Sequence, residues 1–362
     1  MPIFMDRHDV SEAVTAEIVA QIHQEDLKIQ NQFDCRGLTY WFDDQRKTAF
    51  CLIEAPDTNA IKKMHEQAHG DVPHRIIEVD PNVVESFLGR IEDPVNTQNT
   101  TLNIIDDPAF RIIMIITFDG FVVASKSAQF KESLYHYHNE ILEVLKLYEG
   151  SVVKENEKYF LVSFKSVTNA VRAATESQLL YNSFSEKMRD SFKLKIGLSA
   201  GVPVAEKNLI FEEAIKLAER MCRVIQGQVI ASSDVTELYN SENVSTLNQD
   251  VMNCLTKPDE QFLTRLMDYL ETTWNNTNFK VDDFSKPVGF SKSQLYRKLV
   301  SLTGKSPNSF IKEYRLDEAL ILLNKGIWNV SEIAFETGFT SPSYFSKCFQ
   351  KRYNCQPSSY LN

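Results

Sequence analysis

Short apolar runs alternate with amphipathic stretches along the first segment of the chain. Runs of strand length bounded by turn residues predict β-strands at residues 3–7, 38–42, 48–54 and 75–79. Stretches with helical spacing of apolar residues predict α-helices at residues 11–32 and 58–68. The resulting order is βαββαβ, so we expect a ferredoxin-like domain over residues 1–81.

A second segment repeats this mixture of strands and helices. Apolar runs predict strands at residues 111–118, 151–154, 159–164, 194–202 and 228–231. Amphipathic stretches between them predict helices at residues 126–148, 167–184 and 211–225. We expect an α/β sandwich with a largely antiparallel sheet over residues 110–240. Polar stretches without periodicity predict linkers at residues 82–109 and 241–258.

Residues 259–362 have a helical pattern throughout and contain an internal repeat with a period of about fifty residues. The first copy contains Gly289-Phe290-Ser291, Leu295, Leu299, Gly304 and Pro307. The second copy contains Gly338-Phe339-Thr340, Phe345, Phe349, Asn354 and Pro357. In each copy a Gly ends one helix, an aromatic residue fills the corner, and a Ser or Thr caps the next helix. The repeat therefore predicts an all-α domain with two helix-turn-helix units.

The second helix of each predicted unit leaves a polar face outward. Leu295 and Leu299 are four residues apart and face the core, and Phe345 and Phe349 have the same spacing. The opposite faces carry hydrogen-bond donors suited to base edges and phosphates. We expect DNA contacts from Lys292, Ser293, Arg297, Lys298, Ser343, Ser346, Lys347 and Gln350.

These motifs resemble the AraC/XylS family of transcription regulators. The resemblance covers residues 261–360 and includes Thr303-Gly304-x-Ser306-Pro307 and Ser343-Tyr344-Phe345-Ser346. It implies that both recognition helices enter successive major grooves on one face of double-stranded DNA, about 34 Å apart. One departure is Pro287, which we expect to shorten or kink the first helix of the first unit.

Composition narrows the class of protein. The net charge of −10 argues against a general nucleic-acid coat protein, yet residues 259–362 carry 13 Lys and Arg against 11 Asp and Glu. The six cysteines form no CxxC pair, which is typical of a reducing cytosol. No apolar run approaches the roughly 20 residues that a membrane span needs. We therefore expect a cytoplasmic protein with no membrane partner.

The first segment contains a candidate metal site. His65 and His69 are four residues apart on one predicted helix, so both imidazoles can reach one ion. His8 ends the first predicted strand and Cys51 adds a soft thiolate, and this donor set suits nickel, copper or zinc. Alternatively, His65 and His69 form a solvated pair near a helix end, stabilised by the helix dipole.

Residues 1–80 resemble a small ferredoxin-like family of nickel-binding proteins. The resemblance is carried by Met5-Asp6-Arg7-His8, Thr39-Tyr40-Trp41-Phe42 and His65-Glu66-x-x-His69-Gly70. It implies a metal-binding sensor domain with nickel as the cofactor. Together with the donor types, it selects His8, Cys51, His65 and His69 as the metal ligands.

Residues 110–240 resemble class III nucleotide cyclases, through Ile116-Thr117-Phe118-Asp119 and Gly150-Ser151-Val152-Val153-Lys154 among other motifs. Two-metal phosphoryl chemistry needs two carboxylates, and Asp119 supplies one. The family's second carboxylate lies in a Gly-Asp pair that is replaced here by Glu157-Lys158. Lys216 replaces the family's Asn, although Arg220 fits its Arg position. We expect a degenerate domain with a structural, dimerising or relaying role and no enzyme activity; nucleotide binding stays open.

Together these patterns predict a multidomain α+β transcription regulator that binds specific DNA and senses a ligand, with nickel as the leading candidate. The expected partners are double-stranded DNA, a second copy of the chain and RNA polymerase. Two alternatives remain: a nucleotide cyclase with a DNA-binding tail, and a metal-binding or storage protein. The missing second carboxylate argues against the first, and the paired helix-turn-helix units argue against the second.

Overall fold

The computed structural model describes residues 1–95, 102–119, 128–184, 193–243, 252–279 and 281–360. The first segment has the predicted βαββαβ order. Its strands are β1 (Ile3–Asp9), β2 (Arg36–Asp43), β3 (Thr48–Glu54) and β4 (Arg75–Val79), and its helices are α1 (Ala16–Ile29) and α2 (Thr58–Ala68). The strands form a sheet in the order β2-β3-β1-β4, and every neighbouring pair is antiparallel.

Both faces of this sheet are buried, because side chains alternate between faces along each strand. One face packs against α1 and α2 and includes Phe4, Tyr40 and Phe42. The opposite face includes Trp41 and Leu52 and belongs to a core shared with the middle of the chain. The helices of the first segment therefore cover one face of its sheet, and the other face packs against the rest of the protein.

A helix lies where the sequence predicted a linker at residues 82–109. Helix α3 (Pro81–Leu88) is capped by Asp80, whose carboxylate accepts from the backbone N–H of Asn82. Its buried residues Val84, Phe87 and Leu88 have i, i+3, i+4 spacing and contribute to the shared core. The linker prediction was therefore wrong for this part, because a helix of two turns gives too short a periodic signal.

The middle segment is an α/β unit with a six-stranded sheet in the order β10-β9-β8-β5-β7-β6. The strands are β5 (Arg111–Asp119), β6 (Ser151–Asn156), β7 (Tyr159–Phe164), β8 (Lys193–Gly201), β9 (Val229–Ala231) and β10 (Asn253–Cys254). The helices are α4 (Ala128–Leu147), α5 (Val167–Ser183), α6 (Glu212–Val224) and α7 (Ser233–Glu242). The pairs β8–β9 and β9–β10 are parallel, and the other three pairs are antiparallel.

Strand β10 corrects the second predicted linker, at residues 241–258. Asn253 and Cys254 pair with β9 and extend the sheet, although residues 244–251 lie outside the described part of the chain. A two-residue strand has no periodicity, so the sequence alone could not distinguish it from a loop.

Helix α6 packs very closely on the middle sheet. An added Cβ at Gly197 of β8 would lie 2.5 Å from the carbonyl oxygen of Ala218 in α6. The hydroxyl of Ser199, two residues further along the same face, donates to the carbonyl of Ala214 at 2.6 Å. Glycine at 197 therefore sets the distance between α6 and the sheet.

The last segment is helical, as predicted. Its helices are α8 (Lys257–Thr273), α9 (Ser285–Val288), α10 (Lys292–Thr303), α11 (Pro307–Lys325), α12 (Val330–Glu336) and α13 (Pro342–Tyr353). Pro287 lies in α9, which has only four residues, whereas α12 at the same place in the second unit has seven. The expected shortening of the first unit's leading helix is therefore present.

The helix caps differ in one detail from the repeat pattern. Ser291 caps α10, and its hydroxyl accepts from the backbone N–H of Gln294. In the second unit the cap of α13 is Ser341 and not Thr340, and its hydroxyl accepts from the N–H of Tyr344. The residue inserted in the second copy moves the cap forward by one position.

Helix α11 connects two separate apolar cores. Phe310, Ile311 and Tyr314, in its first half, belong to the core shared by the first segment, the middle sheet and the first helix-turn-helix unit. Leu316, Ala319 and Leu323, in its second half, pack with α12 and α13 in the core of the second unit. Within the described ranges, none of the helices combines the length and apolarity needed to span a bilayer.

Candidate metal centre and nucleic-acid interface

A buried cluster of acidic, histidine and thiol side chains lies between the first sheet and its helices. Asp6 and His8 are two residues apart on β1 and therefore face the same side, toward α1 and α2. His65 and His69 lie at the end of α2, one helical turn apart. Asp26 comes from α1 and Cys51 from β3, so β1, β3, α1 and α2 all contribute side chains to the cluster.

His65 is the centre of the cluster. Its Nε2 lies 2.9 Å from Oδ2 of Asp6, and its Nδ1 lies 3.1 Å from Oδ1 of Asp26. The same Nδ1 is 3.0 Å from Nε2 of His69, which is itself 3.3 Å from Oδ1 of Asp26. Each carboxylate therefore meets the histidines at hydrogen-bonding distance inside a nearly water-free space.

The donor atoms form two adjacent groups, Asp6–His8–Cys51 and Asp26–His65–His69. Within each group the candidate ligand atoms all lie within 4.8 Å of one another. Oδ1 of Asp6 accepts from the backbone N–H of Cys51 at 3.0 Å, which fixes the carboxylate beside the thiol. Nδ1 of His8 lies 3.2 Å from Oδ2 of Asp71, a typical carboxylate–histidine pairing that orients the ring.

The residues fit a transition-metal ion. Nε2 of His8 is buried and points into the cluster, where it lies 3.5 Å from Oδ1 of Asp6 without a hydrogen bond of good geometry to any described residue. Imidazole nitrogens with carboxylate oxygens and one thiol are suitable ligands for nickel, copper or zinc. The ions that prefer all-oxygen sites, magnesium and calcium, do not match this set.

Electrostatics inside the cluster favour charged side chains despite burial. Burial lowers the pKa of both histidines, but hydrogen bonds and Coulomb attraction from Asp6 and Asp26 raise the pKa of His65 to about 10. Asp6 and Asp71 similarly overcome burial and raise the pKa of His8 to about 9. Burial raises and the histidines lower the pKa of Asp6, which lies below its usual range. Burial raises the pKa of the Cys51 thiol.

The structure brings together all four residues predicted as metal ligands, His8, Cys51, His65 and His69. It adds Asp6 and Asp26, which the sequence analysis did not select. Asp6 carries a signal in hindsight, since it is two residues from His8 and thus on the same strand face. For Asp26 the sequence signal is weak: it is an acidic residue on the apolar side of a helix. Its place in the cluster depends on how α1 packs against α2.

Most of the predicted DNA-contact residues on α10 are exposed. Lys292, Ser293 and Arg297 lie on the outer face, and Nε of Arg297 donates to the carbonyl of Ser293 at 3.4 Å. Lys298 differs from the expectation, because it is half-buried and its ammonium forms an ion pair with Asp259 of α8. Its turn toward α8 is a tertiary contact that the helix periodicity could not reveal.

Helix α13 presents the second predicted contact surface. Ser343, Lys347 and Gln350 are exposed and Ser346 is half-buried. These four residues line a shallow concavity together with Tyr344 and Gln356. Tyr344 and, on α10, Tyr296 are exposed on the same faces, at 55% and 52%, and the sequence analysis did not name them.

The cyclase-like positions of the middle segment have other partners. Glu157 and Lys158 are exposed in the β6–β7 turn, and Lys216 forms an ion pair with Glu212 at 2.6 Å. Arg220, which fits the arginine position of that resemblance, is buried against α8 and binds two carboxylates there. The side chain of Asp119 lies outside the described residues.

Family models match both ends of the chain. A family model described as "Nickel responsive protein SCO4226-like" matches residues 4–79, and one described as "Helix-turn-helix domain" matches residues 284–362. The C-terminal part of the chain is an AraC-type helix-turn-helix domain, and the N-terminal part is a SCO4226-like domain.

Two curated relatives illustrate the match. The chain is 43% identical over 104 residues to histidine kinase P4 from Formosa agariphila, covering 29% of this chain and 8% of that protein. It is 32% identical over 98 residues to the HTH-type transcriptional regulator MtrA from Neisseria gonorrhoeae, covering 27% of this chain and 31% of that protein. The chain therefore spans less than a third of the length of either relative.

Among solved structures, SCO4226 from Streptomyces coelicolor A3(2) is 32% identical to this chain with a TM-score of 0.21. That match covers 21% of this chain and 94% of the Streptomyces protein.

Proposed function

We propose that this protein is a one-component transcription regulator that binds double-stranded DNA through α10 and α13 and responds to a divalent transition metal, above all nickel. The observation that carries the proposal is the pair of adjacent donor groups, Asp6–His8–Cys51 and Asp26–His65–His69, in the same chain as an AraC-type domain. The family match of the N-terminal part to a nickel-responsive protein supports the choice of metal.

Ligands for the metal would come from His8, Cys51, His65 and His69, with Asp6 and Asp26 as carboxylate ligands or as partners that orient the imidazoles. A bound ion would supply positive charge where two carboxylates face histidines. Because β1, α1 and α2 each contribute at least one donor, these residues would hold their elements in fixed relative positions around it. Metal binding would thus select one packing of the N-terminal sheet and helices.

For DNA recognition, the candidates are the exposed donors Lys292, Ser293 and Arg297 in the first unit and Ser343, Ser346, Lys347 and Gln350 in the second. Lys298 remains a candidate only if it leaves Asp259. We propose that the protein acts in the cytoplasm as a homodimer and engages RNA polymerase at its promoters, as is expected of a DNA-bound regulator of this type.

The middle segment is proposed to be a degenerate cyclase-like domain without catalysis. Support comes from Glu157-Lys158 in the turn where the second metal carboxylate is needed and from the ion pairs made by Lys216 and Arg220. A turnover assay with ATP or GTP and Mn²⁺ tests this. Cyclic nucleotide formation that is lost in Asp119→Ala would overturn the non-catalytic assignment and favour the alternative of a cyclase with a DNA-binding tail.

The decisive experiment is calorimetric titration of the metal-free full chain with Ni²⁺, Zn²⁺, Cu²⁺ and Co²⁺. We expect a tight, stoichiometric isotherm with Ni²⁺ that is lost in His65→Ala. His23→Ala is the matched control, because His23 is also a buried histidine paired with a carboxylate, Asp93, but lies outside both donor groups. Flat isotherms for all four metals would refute metal sensing and leave the DNA-binding domain unaffected.

A metal-storage role is separated from regulation by DNA binding. A duplex recovered from a random-sequence library with the full chain serves as the probe. For a metal-responsive regulator, Ni²⁺ changes the affinity for that duplex. Tight nickel binding with an unchanged DNA affinity would instead favour storage.

A further inference from the structure

Strand β1 carries candidate metal ligands on one face and contacts to the middle segment on the other. Asp6 and His8 point toward the helices, whereas Met5 and Arg7 point away from them. Met5 is fully buried in the shared core, and Nη1 of Arg7 donates to the carbonyl of Val204 at 3.3 Å. Because Asp6, Arg7 and His8 share one strand backbone, a shift of that backbone at the cluster also shifts the contact with Val204.

The segment that receives this contact leads directly into α6. Val204 and Ile210 are buried in the same core as Met5, and Nη2 of Arg75 from β4 donates to Oδ1 of Asn208 at 2.9 Å. Phe211, with a positive φ of 55°, ends the segment and begins the helix. Two strands of the N-terminal sheet therefore hold residues 202–211, which set the position of the start of α6.

The other end of α6 contacts the DNA-binding segment through two arginines. Nη2 of Arg220 lies 2.7 Å from both Oδ1 of Asp268 and Oε2 of Glu271 on α8, and its Nε donates to Oε1 of Glu271 at 3.1 Å. Nη2 of Arg223 donates to Oε1 of Glu318 on α11 at 2.6 Å. We call Arg220 and Arg223 with these three carboxylates the α6 clamp.

Packing around the α6 clamp makes it a defined interface. Arg220 is only 8% exposed, and the guanidinium of Arg223 lies 3.7 Å from the centre of the Tyr314 ring. The backbone N–H of Gln226 donates to the carbonyl of Leu302 at the end of α10. Gly304, with a φ of +68°, leaves room for the Gln226 side chain that a Cβ would displace.

Both helix-turn-helix units are thereby attached to α6. The first unit is held through α8 and the end of α10. The second unit packs on the second half of α11, and Arg223 contacts the same helix at Tyr314 and Glu318. The outer faces of α10 and α13 remain exposed in this arrangement. The α6 clamp therefore fixes the positions of α10 and α13 and leaves their outer faces exposed.

We propose that residues 202–211, α6 and the α6 clamp form a bridge. It transmits occupancy of the donor groups Asp6–His8–Cys51 and Asp26–His65–His69 to the orientation of the recognition helices. This proposal rests on the proposed metal sensing for its input. It assigns to α6 a relaying role that neither family match covers, since those matches end at residue 79 and begin again at residue 284. Coupling of this kind is reciprocal, so DNA binding must also change the conformational equilibrium of α6 and of the N-terminal sheet.

Hydrogen–deuterium exchange of the full chain tests the bridge from both ends. The chain is measured metal-free, with Ni²⁺, and with the duplex recovered from a random-sequence library. The test variant is Arg220→Gln/Arg223→Gln. The matched control is Lys216→Gln, which removes a positive charge from the same helix but whose ion pair, with Glu212, lies within α6.

In the wild-type chain we expect Ni²⁺ to change exchange in β1 and α2, in residues 202–224 and in α8. The duplex is expected to change exchange in residues 202–224 as well as in α10 and α13. In Arg220→Gln/Arg223→Gln, we expect nickel to leave exchange in α8 unchanged. We expect the duplex to leave exchange in α6 unchanged. Nickel is expected to change the affinity for the duplex by at least about fivefold in the wild type and in Lys216→Gln. In the double variant, nickel is expected to leave the affinity unchanged.

Several outcomes overturn the bridge. Nickel effects confined to residues 1–95 together with DNA effects confined to residues 257–360 would do so, as would effects that cross α6 unchanged in the double variant. Failure of metal sensing is distinguishable: if no metal binds but DNA effects still reach residues 202–211 and vanish in the double variant, the bridge stands and its input is different.

A charge exchange keeps the test valid if the double variant does not fold. Arg223→Glu/Glu318→Arg retains opposite charges across the interface, whereas Arg223→Glu alone places two acidic residues together. We expect transmission of the nickel and DNA effects to be lost in Arg223→Glu and regained in the exchanged pair. Loss in both variants would contradict the assignment of Arg223 and Glu318 to the clamp.

Discussion

The carboxylate of Asp6 and the imidazole of His65 lie 2.9 Å apart, although 59 residues separate them along the chain. Both side chains are almost fully buried, so their charges need partners inside the cluster: His65 faces Asp6 and Asp26, and Asp6 faces His65 and His8. Removing the Asp6 charge leaves the buried histidines with one carboxylate fewer to compensate them.

Asp6→Asn is therefore expected to lower the free energy of unfolding of the metal-free protein by about 3 kcal/mol, the typical cost of breaking a buried ion pair. Denaturant titration followed by circular dichroism measures this. Asp9→Asn is the control, since Asp9 lies on the same strand but pairs with Arg7 at the exposed surface. Equal stabilities of the two variants would contradict the charged state inferred for the cluster.

Nickel should stabilise the N-terminal part of the chain if it binds there. A ligand that binds only the folded state at 100 times its dissociation constant adds about 2.7 kcal/mol to the free energy of unfolding. Thermal unfolding of the metal-free protein with and without Ni²⁺ measures the shift. We expect EDTA to reverse the shift and His65→Ala to remove it, while His23→Ala retains it; a shift that survives in His65→Ala would place the metal elsewhere.

The recognition helices can be tested residue by residue. Arg297→Ala and Lys347→Ala are each expected to weaken binding to the selected duplex by about 1–3 kcal/mol if they contact bases. Lys298→Ala should have a smaller effect, because Lys298 is already paired with Asp259. Fluorescence anisotropy at fixed salt concentration provides the affinities.

Lys325→Ala is the control for these variants, because Lys325 is an exposed lysine at the end of α11, outside both recognition helices. Unaltered affinity in both Arg297→Ala and Lys347→Ala would mean that α10 and α13 are not the recognition helices. A loss in Lys298→Ala as large as that in Arg297→Ala would show that DNA displaces Asp259.

The close packing of α6 on β8 predicts a specific weakness. Gly197→Ala places a methyl group 2.5 Å from the backbone carbonyl of Ala218, so the helix must move away, at an expected cost of about 1–3 kcal/mol. Gly201→Ala on the same strand meets only the Ala214 side chain at 3.1 Å and should cost less. Equal losses in chemical denaturation would show that α6 adapts without strain.

Much of the local structure was predictable because it depends on neighbouring residues. The strands of the first sheet follow from apolar runs, and the two helix-turn-helix units follow from glycines, caps and helical spacing that recur along the chain. The His65–His69 pair was predictable for the same reason, since residues four apart on a helix share a face. Short elements such as α3 and β10 were not predicted, because a few residues carry little periodic signal.

Contacts between distant segments could not be read in the same way. Asp26 joins the donor cluster only because α1 packs beside α2, and Lys298 turns from the outer face of α10 only because α8 places Asp259 next to it. Arg220 was noted only because it fits the arginine position of the cyclase resemblance, and its partners Asp268 and Glu271 lie on a helix of the next segment.

The sequence by itself determined which segments form sheets, which form the paired DNA-binding units, and which residue types can bind a metal. These features arise from periodicity and side-chain chemistry, which are local properties of a chain. The tertiary structure decided that one face of β1 carries Asp6 and His8 and the other face the contact to Val204. It also decided that α6 contacts α8 and α11 through Arg220 and Arg223. Such relationships depend on how apolar faces pack together, and packing is a property of the whole fold.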